Sequence, residues 1–215
     1  MKNLLYKELR LAFHPTVAIF WLLSAMLLIP SYPYTVVLFY TMLGIFFVCL
    51  TGRENHDLAY TLSLPVRKRD LVRGRFALVL LVEGVQLLLA VPFALIRRRM
   101  PPPGNMAGID ANLAFFAFAL LIYGLFNLLF LPRYYRRPDK VGKAFGLTCV
   151  PMGCIILLLE ALSYLSPFVR DRLDTPDPLF LTEKLFALAA GALLCFGLTW
   201  LAYRLSARAF ERLDL

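Results

Sequence analysis

Residues suited to acid–base or metal chemistry are scarce in this sequence. Histidine occurs only at His14 and His56, and Asp and Glu together number 14 in 215 residues. Neither histidine has a second His or a Cys at ligand spacing, which argues against a zinc site. The four cysteines, Cys49, Cys149, Cys154 and Cys195, lie in apolar runs and form no C-x-x-C pair. They read as small buried hydrophobes rather than as disulfides or ligands. The chain contains no H-E-x-x-H, no G-x-S-x-G, no phosphate-binding lysine loop and no dinucleotide fingerprint. Charged residues make up 17% of the total. Their basic clusters are flanked by apolar runs, not by a stacking platform, so nucleic-acid binding is not expected.

Hydrophobic residues, in contrast, reach 60%, well above the roughly one half typical of soluble domains. A soluble domain of this size still exposes roughly a third of its unfolded surface to water. One core cannot hide so large an apolar surplus, which excludes an ordinary soluble enzyme, a disordered chain and a secreted disulfide scaffold. The composition predicts an all-α integral membrane protein forming one domain over residues 1–215.

Six apolar segments follow one another. Residues 11–52 contain no charged side chain, enough for two crossings, with Pro30-Ser31-Tyr32-Pro33 as a turn between them. Spans are predicted at about 15–29, 34–50, 76–96, 111–131, 144–165 and 185–203, with lengths that suit helices rather than the ten-residue alternating strands of a barrel. With the N-terminus placed inside, 17 of the 23 Lys and Arg fall in cytoplasmic segments and six outside. The positive-inside rule then predicts both termini in the cytoplasm. Arg97, Arg98 and Arg99 are the exception, a basic triplet on the outer side that reads as an interfacial anchor or an attractor of acidic groups. The N-terminal stretch has no small-residue cleavage site and reads as uncleaved.

Residues 1–13 predict a short amphipathic helix in the interface, with Leu5, Leu9, Ala12 and Phe13 on one side and Lys7 and Arg10 away from it. Residues 204–215 predict a cytoplasmic tail in which Arg204, Arg208 and Arg212 form a basic stripe toward headgroups. Two acids fall inside spans. Glu83 is either a pathway or gating residue, or a side chain that snorkels or pairs with Lys143 or a nearby arginine. Glu160 carries the same two readings, a pathway or gating residue or, near the outer interface, a side chain paired with Arg170 or Arg172.

The connector between spans 2 and 3, residues 53–75, is longer than a turn needs and is patterned. Glu54, Asn55, His56 and Asp57 open it. Leu58 and Leu62 follow one helical turn apart with Tyr60 between them, then Ser63-Leu64-Pro65-Val66, then a basic segment into Phe76. This predicts a short cytoplasmic helix lying across the membrane face.

That acidic short helix, Leu-Pro-Val turn and basic patch resemble the coupling-helix region of type-2 exporter-class ABC transporter permeases. Residues 1–10, MKNLLYKELR, resemble the family's interfacial elbow helix, and six spans with both ends inside fit its layout. Size and character resemble the small permeases that export amphipathic peptides. The irregular, Pro- and Asp-containing stretch 166–184 departs from the long outer re-entrant helix of the family. The resemblance implies a non-catalytic permease subunit in a bacterial plasma membrane, contacting a separate cytoplasmic ATPase through Glu54, Asp57, Leu58, Tyr60 and Leu62. It implies a second permease copy as partner and surrounding lipids as contacts. It implies no cofactor on this chain, ATP and magnesium binding to the ATPase. A membrane-embedded enzyme and a non-transporting scaffold or sensor are the alternatives.

Overall fold

A chain in hydrocarbon must satisfy its backbone polar groups within each segment, so an apolar run of this kind becomes a helix. The computed structural model describes residues 2–63, 65–101 and 104–213. Met1 of the elbow segment, Leu64 of the Leu-Pro-Val turn, and Asp214 and Leu215 of the tail lie outside the described residues. Among the described residues every regular element is helical: α1 (Lys2–Leu11), α2 (Thr16–Leu22), continued as a 3₁₀ segment (Leu23–Leu28), α3 (Thr35–Glu54), α4 (Asp57–Leu62), α5 (Lys68–Arg97), α6 (Leu113–Arg136), α7 (Val141–Leu165) and α8 (Leu181–Glu211).

Five helices are long and apolar enough to cross a membrane: α3, α5, α6, the helical run Pro138–Leu165 that contains α7, and α8. The first apolar segment is shorter. Thr16–Leu28 meets Leu4–Leu11 at 89°, an elbow in which α1 lies across the direction of the following segment. Leu11, at the end of α1 just before it, accepts a hydrogen bond from Asn55, and Pro30 beyond its end accepts one from the Met106 backbone. Those contacts tie the segment to opposite ends of the bundle. Its 3₁₀ half rises about 2 Å per residue against 1.5 Å in an α-helix, which lengthens a short traverse.

The ends sort themselves by their polar contacts. At one end, the near end, lie α1, α4, the start of α5, the α6–α7 corner and the end of α8. Arg53 reaches the Asp139 carbonyl there. Arg69 pairs with Glu211, and Lys68 donates to the Leu213 carbonyl. The basic patch after Pro65 is thus drawn partly into clamping the end of α8.

Between the ends, α6 and α8 pack most closely, because glycines remove the side chains that would hold them apart. A Cβ on Gly191 would stand 2.5 Å from the Ala117 carbonyl oxygen, and one on Gly124 would stand 2.8 Å from the Cys195 Cα. Small residues at such crossings let backbones approach where no hydrophobic force drives helices together. Aromatic rings fill the opposite side: Phe46 of α3 stacks on Phe145 of α7 at 4.6 Å, and Phe126 and Phe130 of α6 flank Phe145.

Candidate functional site

The near end is organised around a buried charge. Arg75 sits one residue before the apolar run of α5, and its own helix offers no acid three or four residues away. Its partners come from elsewhere in the chain. The Arg75 Nε closes to 2.6 Å on Glu8 Oε2 of α1, and Nη2 donates to Asp57 Oδ2 of α4 at 2.7 Å. A third contact runs from Nη1 to the Val48 carbonyl of α3 at 3.2 Å. Lys7 completes the group, 2.7 Å from Asp57 and 2.9 Å from Glu8. Its Nζ also donates to Thr61, whose hydroxyl donates to the Asp57 carbonyl. Two cations and two carboxylates therefore form a neutral quartet with Arg75 and Asp57 each 1% exposed. Gly52 makes room for the guanidinium, since a Cβ there would meet Arg75 Nη2 at 3.0 Å.

The quartet changes the expected part of Asp57. It was expected to face outward to a partner; it points inward and joins three helices. Charge makes the reason plain: a buried guanidinium is tolerable only with carboxylates beside it. Glu8 was not singled out from the sequence at all, and α1 turns its Leu5–Glu8–Ala12 side inward while Leu9 is exposed. The available signal was Arg75 itself, a cation next to an apolar run with no local partner.

With Asp57 inside, the outer face of α4 carries other groups. Tyr60 is 60% exposed, and Glu54, which pairs loosely with Arg53 at 3.7 Å, is also exposed. Leu58 and Leu62 are half-buried against the core, which leaves Tyr60 as the exposed member of the three. His56, in the left-handed region at φ 49, makes the sharp break that swings α4 off the end of α3. Beside it a cleft of about 140 Å³ is lined by Leu58, Ala59, Pro138 and Asp139, among others.

Deep in the bundle, Glu83 is 3% exposed and neither snorkels nor meets Lys143. Asn127 of α6 donates to it at 3.2 Å and also to Thr199 of α8 at 3.2 Å. Nearby, Tyr123 donates to Thr41 and Gln86 to Ser24. These pairs join α5, α6, α8, α3 and the first segment across the membrane interior.

The far end is closed by its loops. Glu160 meets neither Arg170 nor Arg172; it accepts from the Thr35 hydroxyl at 2.7 Å and the Ile109 backbone at 3.3 Å. Asn112 caps α6 through Ala114 and Phe115, and its amide donates to the Leu173 and Thr175 carbonyls. Asp174 accepts from the Asp110 backbone at 2.7 Å. Burial, with the charges of Asp110 and Glu160 close by, pushes the Asp174 carboxyl up to about 6. Burial raises Asp110 as well, against the pull of the Asn105 amide and Arg97. The basic triplet divides. Arg97 is buried and donates to Tyr34, Met100 and Gly104, while Arg98 and Arg99 are exposed.

An elbow helix, a short helix between the second and third apolar segments, and five to six membrane-length helices are the parts of one architecture. The profile of the ABC-2 family transporter proteins matches residues 3–211. The chain belongs to that family. As an ABC-2 protein it is a membrane permease of an ABC transporter, and the family match runs through α1, α4 and every span. Among curated proteins and among solved structures, none matches it significantly.

Proposed function

We propose that this ABC-2 permease is the membrane subunit of an exporter, driven by a separate cytoplasmic ATPase that seats on the outer face of α4. The quartet carries the reading. It ties α4 to both α1 and α5, so a push on the exposed face of α4 is delivered to a span and to the elbow together instead of being lost in a loose loop. Closure of an ATPase pair would supply that push, and rigid-body movement of the spans would follow. ATP and magnesium belong to the partner in this scheme. The permease would act as a pair, with a second copy as the simplest mate. Its apolar spans suit hydrophobic or amphipathic cargo, peptides included, moving outward. The excess of Lys and Arg at the near end supports a cytoplasmic location for that end and for both termini, in a bacterial inner membrane.

Glu54, His56, Tyr60 and the Pro138–Asp139 corner form the docking surface, with Tyr60 as its anchor. Exposed aromatics that become fully desolvated contribute ~2 kcal/mol or more to an interface. The double variant Glu54→Ala, Tyr60→Ala should therefore weaken capture of a co-expressed ABC ATPase by more than about tenfold, with membrane insertion unchanged. Parental ATPase capture and transport by this variant would show that the docking surface is elsewhere.

A further inference from the structure

One side of the bundle carries a groove that the coupling scheme does not use. We propose that the α5–α8 seam binds an anionic phospholipid, its phosphate on Arg73 and an acyl chain in the cavity behind. On α5, Arg73, Phe76, Ala77 and Leu80 form one helical stripe, and on α8 the stripe runs from Ala192 through Phe196 and Trp200 to Tyr203. Leu120 of α6 is the floor, and the cavity between the stripes holds about 370 Å³. Its lining is mainly apolar, with Thr199 and Tyr203 as the hydroxyl-bearing side chains and Arg73 as the charged one. Ala192 to Tyr203 spans about 16 Å of helix, close to the ~15 Å of hydrocarbon in one leaflet. Arg73 lies one turn before Phe76, where headgroups begin. It is exposed and makes no ion pair among the described residues.

The same α5 face continues past Gly84, where an added Cβ would meet nothing within 4 Å. It then lines a second cavity of about 350 Å³ from Leu87 to Arg98, again reaching Leu120. The seam thus offers one chain-length cavity per leaflet, meeting at mid-membrane. The second mouth has Asp177 beside Arg98, so its charge is mixed. Arg73 is the one charged residue lining the first cavity, and it favours an anionic headgroup. A second copy of the chain is a poorer occupant. A two-fold axis along the membrane normal through the seam would set Arg73 against the partner's equivalent cation at the same depth.

Trp200 lines the inner cavity and Trp21 is the other tryptophan, which supplies the reporter. The full chain carrying Trp21→Phe is placed in vesicles containing phosphatidylglycerol or phosphatidylcholine with brominated acyl chains. Quenching of Trp200 should show an affinity for phosphatidylglycerol about fivefold above that for phosphatidylcholine, the ratio that corresponds to about 1 kcal/mol for one arginine at an anionic surface. Arg73→Gln should bring the two lipids to equality, and Ala77→Phe, which fills the cavity, should reduce quenching by both. Native mass spectrometry of the chain with Trp21 intact should retain more phosphatidylglycerol than the Arg73→Gln variant retains. Equal quenching by the two lipids in the Trp21→Phe chain, a preference that survives Arg73→Gln, equal retention in the two spectra, or a Trp200 shielded from both lipids would each overturn the assignment. None of these readings involves ATPase or transport, so failure here leaves the coupling proposal standing, and the converse also holds.

Discussion

Removing Arg75 should be among the most damaging single changes in the protein, and the structure says by how much. At 2.7 Å and an effective dielectric near 20, one ion pair carries ~6 kcal/mol of gross attraction. Much of this only offsets the desolvation of the charges, so the measurable quantity is the cost of breaking the set. Arg75→Met keeps the apolar stem and leaves Glu8 and Asp57 sharing only Lys7. A buried charge left without its partner costs about 3–5 kcal/mol, a large share of the roughly 5–15 kcal/mol that holds a folded domain. Asp57→Asn leaves one excess positive charge instead and should cost a similar amount. The quartet is neutral, so combining the two changes restores charge balance. The double variant should then be more stable than the sum of the singles predicts, by about 2 kcal/mol or more. Reversible unfolding of the four proteins in one detergent, followed by tryptophan fluorescence, measures the cycle. Additive costs, or an Arg75→Met protein as stable as the parent, would refute the account of a mutually dependent buried quartet.

Two further outcomes follow from other parts of the molecule. Gly191→Ala should destabilise the fold by about 1–3 kcal/mol by overpacking α8 on α6, whereas Gly197→Ala, which would meet nothing within 4 Å, should be near neutral; thermal unfolding of the pair compares them, and equal effects would remove glycine packing as the basis of that contact. The far-end cap should tighten in acid. Asp174 titrates near 6 in the closed cap against an ordinary value near 3.8, so closing takes up a proton, the closed form gains stability as pH falls through that window, and it loses it as pH rises past 6. Hydrogen exchange of residues 104–112, corrected for intrinsic rates, should be slower relative to the rest of the chain at pH 5 than at pH 7.5. Asp174→Asn should abolish that difference, and its persistence would move the effect to another group.

Class, the five long spans and the special character of 53–75 were legible in the residues, because each depends on local composition. An apolar run in hydrocarbon has one outcome, the helix, and a patterned connector between two such runs stands out without knowledge of its surroundings. The elbow at 1–13 was legible for the same reason, although its inward side was not. Periodicity placed Leu9 against the membrane core and overlooked Glu8, since a hydrophobic pattern treats an acid as an outward residue. Only tertiary structure brings Glu8, Asp57 and Arg75 from positions 8, 57 and 75 into one buried group, and only that meeting decides that Asp57 faces in while Tyr60 faces out. The same holds for Glu83 and Glu160. Their positions along spans were evident, but sequence suggested cationic partners within reach, and the fold supplied Asn127, Thr35 and a backbone amide instead. Hydrophobicity is a property that each residue brings with it. A hydrogen-bond or ion-pair partner is a property of distance, and distance between segments is set by how the helices pack.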